Sequence, residues 1–134
     1  MIYLSKLHAI IADDEILKAI AIRKALNFNR ISDVYIVNNQ EKVWEAIYES
    51  QNGGKKIDLI VTDMQYPLTA GGRIDTDAGF KLIERMEKEQ KEIPIIICST
   101  SNYQGVEGIL GSVWYREIDN DLGWEFKEVL SKLL

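Results

Sequence analysis

Three short stretches of continuous, largely β-branched apolar residues, Leu7–Ala12, Ile57–Thr62 and Ile93–Cys98, constrain the fold more than any other feature of the chain. A strand with one wet face alternates between apolar and polar residues. A run that does not alternate suits a strand covered on both faces, as in the middle of a parallel sheet. Two weaker runs, Val34–Val37 and Val113–Tyr115, supply flanking strands. Between the runs lie stretches rich in Glu, Lys, Leu and Ala, at about 14–28, 39–51, 79–91, 103–110 and 121–134, which read as helices. In the last of these Leu122, Phe126, Val129, Leu130 and Leu133 form one apolar stripe, with Asp121 or Asn120 placed to cap it. Strand and helix thus alternate, and right-handed crossovers then put helices on both faces of the sheet. The expectation is one three-layer, doubly wound α/β domain over residues 1–134, a length that suits a single core.

Charge narrows the partners. With 16 Lys and Arg against 21 Asp and Glu, the net charge is -5, which argues against direct nucleic-acid binding and against docking on a membrane of anionic lipid. A cationic partner or a metal ion fits better. Cys98 is the one cysteine, so no internal disulfide or zinc cluster forms; flanked by isoleucines and serine, it reads as an inert core thiol. Met1–His8 lacks the basic and apolar regions of a signal peptide, and no apolar run approaches the ~18 residues of a membrane span, so a cytoplasmic location is expected. Gly53-Gly54 lacks the Lys-Ser/Thr of a phosphate loop.

In open parallel sheets, ligands bind beyond the carboxyl ends of the strands. The first run ends in Asp13-Asp14, the third in Asp63 and the fourth in Ser99-Thr100-Ser101. If the first and third strands are neighbours, three carboxylates converge. They then raise one another's pKa unless a cation neutralises them. Oxygen-only ligands in a partly hydrated cleft suit Mg2+. Taken singly each acid has a plainer explanation, since an Asp after a strand commonly caps the next helix. The weight lies in the joint pattern of acidic pair, lone Asp and hydroxyl residue, each ending a different strand.

Ile10–Glu15, Asp58–Pro67, Gly79–Ile83 and Ile93–Ser99 together resemble the receiver domain of two-component response regulators, and the resemblance covers nearly the whole chain. It implies a flavodoxin-like sheet in the order 2-1-3-4-5. It also implies that Asp63 accepts a phosphoryl group from the phosphohistidine of a sensor histidine kinase or phosphotransfer protein. Asp13, Asp14, Asp63 and the main-chain carbonyl of Gln65 would then bind Mg2+, and Ser99 would supply a switch hydroxyl. The output would be a changed surface near the fourth helix and fifth strand, read by a downstream protein target. The chain would then be no turnover enzyme, only a phosphoacceptor assisting its own phosphorylation and dephosphorylation.

One family feature is missing. The family carries a lysine at the end of the fifth strand, whereas Gly111–Asn120 contains none; Arg116 is the cation there, and either it substitutes or it points to solvent. Trp114 or Tyr115 would fill the family's aromatic position, with ordinary ring packing as the alternative. Leu68–Ala78 is longer than the family's usual segment and reads as a lid, a partner contact or a solvated insertion; Asp75 and Asp77 within it read as turn and cap residues more than as extra ligands. The missing lysine keeps a second function open, a protein-binding module that works without phosphorylation. A magnesium-dependent phosphatase or phosphotransferase ranks lower because its acids would be spaced Asp-x-Asp, and flavin binding would call for a hydroxyl-rich first loop. No output domain is expected within this chain, and a homodimer is compatible with it.

Overall fold

The computed structural model describes residues 3–116 and 121–134. Five parallel strands, β1 (His8–Ala12), β2 (Asp33–Val37), β3 (Leu59–Thr62), β4 (Ile95–Ser99) and β5 (Gly111–Trp114), form one sheet in the order β2-β1-β3-β4-β5. Its register sets Ala12 beside both Val37 and Thr62, and Thr62 beside Ile97. The ends of β1 and β3, where the acidic residues follow, are therefore level neighbours.

Among the described residues four α-helices cover the sheet: α1 (Ile16–Phe28), α2 (Gln40–Gln51), α3 (Ala78–Lys88) and α4 (Leu122–Leu130). Successive strand residues point to opposite faces, which divides the apolar runs between two cores. Ala9, Ile11, Leu59, Val61, Ile96 and Cys98 pack with Ile22 and Leu26 of α1 and Phe126 of α4. Ile10, Ala12, Ile60 and Ile95 pack with Val43, Trp44 and Ile47 of α2 and Leu82 and Met86 of α3. The expected doubly wound, three-layer arrangement is the one observed.

The helix expected over 103–110 does not form; the segment is a series of turns. Gly105 and Gly108 have φ of 84° and 81°, outside the helical region, and two glycines in eight residues cost a helix about 1 kcal/mol each. The segment instead runs beside β5: Ser112 Oγ donates to Tyr103 O at 2.8 Å, Gln104 Nε2 donates to Ser112 O at 3.1 Å, and the Tyr103 ring meets Phe80 of α3 edge-on.

The remaining helices end for local reasons. Asn39 and Asp121 cap α2 and α4, accepting from the amides of Lys42 and Trp124. At the other end of α1, Arg30 adopts φ 70° so that Arg30 N donates to Asn27 O and Ile31 N to Leu26 O; Gln90, with φ 55°, closes α3 in the same way. The long stretch at 68–78 is ordered: Tyr66–Pro67 pairs antiparallel with Ile74–Asp75, and Leu68 O accepts from the Glu41 amide at the start of α2.

These packing and capping arguments fix opposite signs for two substitutions, to be measured by chemical denaturation. Leu26→Ala opens a cavity in the α1 core and lowers the unfolding free energy by about 2–5 kcal/mol. Arg30→Gly relieves a left-handed backbone conformation and raises it by about 0.5–1 kcal/mol.

Candidate functional site

Asp13 and Asp14 follow β1, and Asp63 follows β3; each offers a carboxylate oxygen, and the three oxygens lie within 4.8 Å of one another. Backbone pairing fixes this convergence, because Asp13 N donates to Val37 O and Asp63 N donates to Ala12 O. Asp13 and Asp63 are buried and Asp14 half-buried. Two of the carboxylates are oriented locally: Asp13 Oδ1 accepts from the Glu15 amide at 2.9 Å, and Asp63 Oδ1 from the Met64 amide at 2.7 Å. The residue at the N-cap of α1 is Glu15, which makes no side-chain cap, so Asp13 bends the chain into the helix instead of capping it.

The cation among these acids is one that the sequence did not single out. Lys18, in the first turn of α1, is 3% exposed; its Nζ lies 2.8 Å from Asp13 Oδ2 and 3.1 Å from Asp63 Oδ1. Nζ and Asp13 Oδ2 are both closed off from solvent and form a close ion pair. Burial pushes the Asp13 carboxyl up to about 6, against the opposing pull of Lys18 and of the Glu15 amide. Burial also works to lower the pKa of Lys18, but Asp13 and Asp63 outweigh it and hold the ammonium above its ordinary value. Near neutral pH the crevice therefore holds an ionised Asp13 beside a charged lysine.

A periodicity argument hides Lys18. In α1 it is Ile16 and Leu17 that face solvent, 74% and 83% exposed, while the lysine turns inward. The available signal was the inward stripe Leu26, Ile22, which continues one turn back onto position 18.

The other candidates are placed as follows. Ser99, buried at the end of β4, accepts from the Ser101 amide at 3.2 Å. Gln65 is exposed in the turn after Asp63. Arg116 is engaged elsewhere, donating to Glu125 Oε1 of α4 at 3.1 Å and lying 4.7 Å from the Trp114 ring centre. Trp114 donates from Nε1 to Thr100 O, tying β5 to the loop beyond Ser99, whereas the half-buried Tyr115 ring lies 5.9 Å from Lys18 Nζ. Asp75 accepts from the Asp77 amide and pairs with Lys81, the turn role expected of it.

A second layer holds the Asp63 loop. Thr62 Oγ1 donates to Asp63 O at 2.7 Å and lies 3.0 Å from Tyr66 OH; Gln40 Nε2 donates to Tyr66 OH and to Ala78 O. Tyr66 is fully buried, and that burial pushes its phenol up to about 12. Gly79 lets α3 approach this loop, since a Cβ there would stand 2.8 Å from Met64 Sδ and 2.9 Å from Asp63 O.

The donor set fits a hard divalent cation, with three carboxylate oxygens close together and no sulfur or imidazole among them. Lys18 already supplies one positive charge to two of the three.

The fold is a doubly wound, flavodoxin-like α/β domain. Among solved structures it is similar to RcsB from Salmonella enterica serovar Typhimurium, a structure bound to a promoter in the presence of the phosphomimetic BeF3-. That similarity has a TM-score of 0.59 at 21% identity, and covers 96% of this chain. The chain spans 66% of the length of the RcsB chain. No family model matches the sequence. No curated protein matches it either. Among the described residues, no helix is long and apolar enough to cross a membrane.

One substitution and one chemical modification probe the site's scaffolding. Gly79→Ala forces Met64 or the Asp63 carbonyl to shift and costs about 1–3 kcal/mol in chemical denaturation. Burial pushes the Cys98 thiol up to about 12, so the reactive thiolate is scarce in the folded protein well above neutrality. Iodoacetamide at pH 8 should leave the native chain unmodified and alkylate it once when unfolded, as followed by intact mass.

Proposed function

We propose that this chain is a receiver-type phosphoacceptor and that Asp63 is the residue phosphorylated. One observation carries the reading: Asp13, Asp14 and Asp63, far apart in sequence, present oxygens within 4.8 Å of one another at the ends of adjacent strands. A carboxylate is a weak nucleophile toward a phosphoryl group, and transfer depends chiefly on placement and on positive charge between the two anions. Asp13, Asp14, Asp63 and the Gln65 carbonyl would hold Mg2+, which supplies that charge when bound. The phosphoryl donor would be a sensor histidine kinase or a phosphotransfer protein. The domain carries out no sustained turnover in this reading; its chemistry is confined to its own Asp63.

Phosphorylation adds charge and acceptor oxygens, which the Ser99 hydroxyl reaches from the end of β4. Because residues 103–110 are turns, the surface that responds is the loop after Ser99, together with β5 and α4, rather than a fourth helix inserted between β4 and β5. Trp114 connects the two, through its bond to Thr100. A downstream protein would read this surface. That RcsB was solved on a promoter with a phosphomimetic belongs to RcsB; here it supports the comparison with a phosphorylation-responsive fold.

The rival reading, a binding module that works without phosphorylation, draws on Lys18, whose ammonium already balances Asp13 and Asp63. Incubation with Mg2+ and phosphoramidate, followed by intact mass, separates the two. The wild type is expected to gain one phosphoryl group and Asp63→Asn none. An unmodified wild type, or an adduct that survives in Asp63→Asn, rejects the phosphoacceptor reading.

A further inference from the structure

We propose that Lys18 is the cation that engages the phosphoryl group on Asp63, delivered from the first turn of α1 instead of from the end of β5. The inference rests on the phosphoacceptor reading above and adds the residue that balances the charge of the product. A carboxylate that becomes an acyl phosphate gains negative charge and three acceptor oxygens, so a donor must be within reach. Lys18 Nζ is 3.1 Å from Asp63 Oδ1, while Arg116 is engaged with Glu125 and Trp114.

Its placement is costly unless it is used. An ammonium taken out of water loses hydration that a well-aligned partner set recovers only in part. Here Nζ has three donors and two acidic partners, Asp13 at 2.8 Å and Asp63 at 3.1 Å. It also stands in the first turn of a 13-residue helix, at the end whose dipole already repels cations. A lysine that served only to neutralise Asp13 would have no need of Asp63 as a second partner. One left between two acids, with donors to spare and the Tyr115 ring 5.9 Å away as a wall, can turn toward new oxygens without leaving the crevice.

In the transfer, an Asp63 carboxylate oxygen forms the new O–P bond while the donor's P–N bond breaks and its electron pair leaves with nitrogen. With phosphoramidate the leaving group departs as ammonia. Lys18 exchanges no proton in this step; it donates hydrogen bonds to phosphoryl oxygens as charge accumulates on them. Acting in a buried site, a donor of this kind is worth about 10²-fold or more in rate.

The test compares wild type, Lys18→Met and Arg116→Met with phosphoramidate at saturating Mg2+, following adduct formation by intact mass and folding by circular dichroism. Lys18→Met is expected to take up the phosphoryl group about 100-fold more slowly, whereas Arg116→Met matches wild type. A folded Lys18→Met that reacts at the wild-type rate overturns the assignment and leaves the phosphoacceptor reading standing. A wild type that takes no phosphoryl group removes both. A second measurement does not depend on the variant folding: the Lys18 side-chain 15N signal of the wild type should shift, and its ammonium protons exchange more slowly, when beryllium fluoride and Mg2+ are added. A signal that stays in place overturns the assignment equally.

Discussion

A lysine buried against two buried aspartates is the constraint on which the carboxyl end of this sheet depends. Asp13 and Asp63 leave adjacent strands at the same level, and burial in this crevice, with the charge of Asp63 adding to it, works to protonate Asp13 against the pull of a counter-charge. Lys18 supplies it at 2.8 and 3.1 Å. The cost of burying all three is offset only if each stays in place, so α1 and the loops after β1 and β3 are tied to one another by charge as well as by packing.

The neutral hydrogen bonds nearby give that charged cluster its shape. Gln40, Tyr66 and Thr62 form a buried chain that ends on the carbonyl of Asp63, fastening the loop to the start of α2 from the opposite side of the sheet. Gly79 admits α3 against the same loop. The antiparallel pairing of Tyr66–Pro67 with Ile74–Asp75 turns the long 68–78 segment into part of this support, since it follows directly from the buried Tyr66. Asp63 is thus held by three elements that the linear sequence separates.

What could be read from the sequence follows from which interactions are periodic. Strands buried on both faces announce themselves as unbroken apolar runs, so β1, β3 and β4 were legible; the order of the sheet came from the resemblance to receiver domains, and the meeting of Asp13, Asp14 and Asp63 depended on that order. Two things were not. Tyr103–Leu110 has the spacing of a short helix, but Gly105 and Gly108 take positive φ and the segment gains side-chain bonds to β5 that no helical pattern foretells. Lys18 escaped because pattern reasoning sends charge outward and leucine inward, and α1 reverses both at Leu17 and Lys18 to serve the crevice. Such exceptions to the local rule gather where a site demands them.

The strap of turns between β4 and β5 has a consequence beyond signalling. β5 ends the sheet, and an outermost strand with free peptide groups is a template on which another chain can add itself. Here the Gln104 amide occupies the Ser112 carbonyl and the Ser112 hydroxyl is turned onto Tyr103. The same segment that forgoes a helix thereby blunts the margin of the sheet against edge-to-edge self-association.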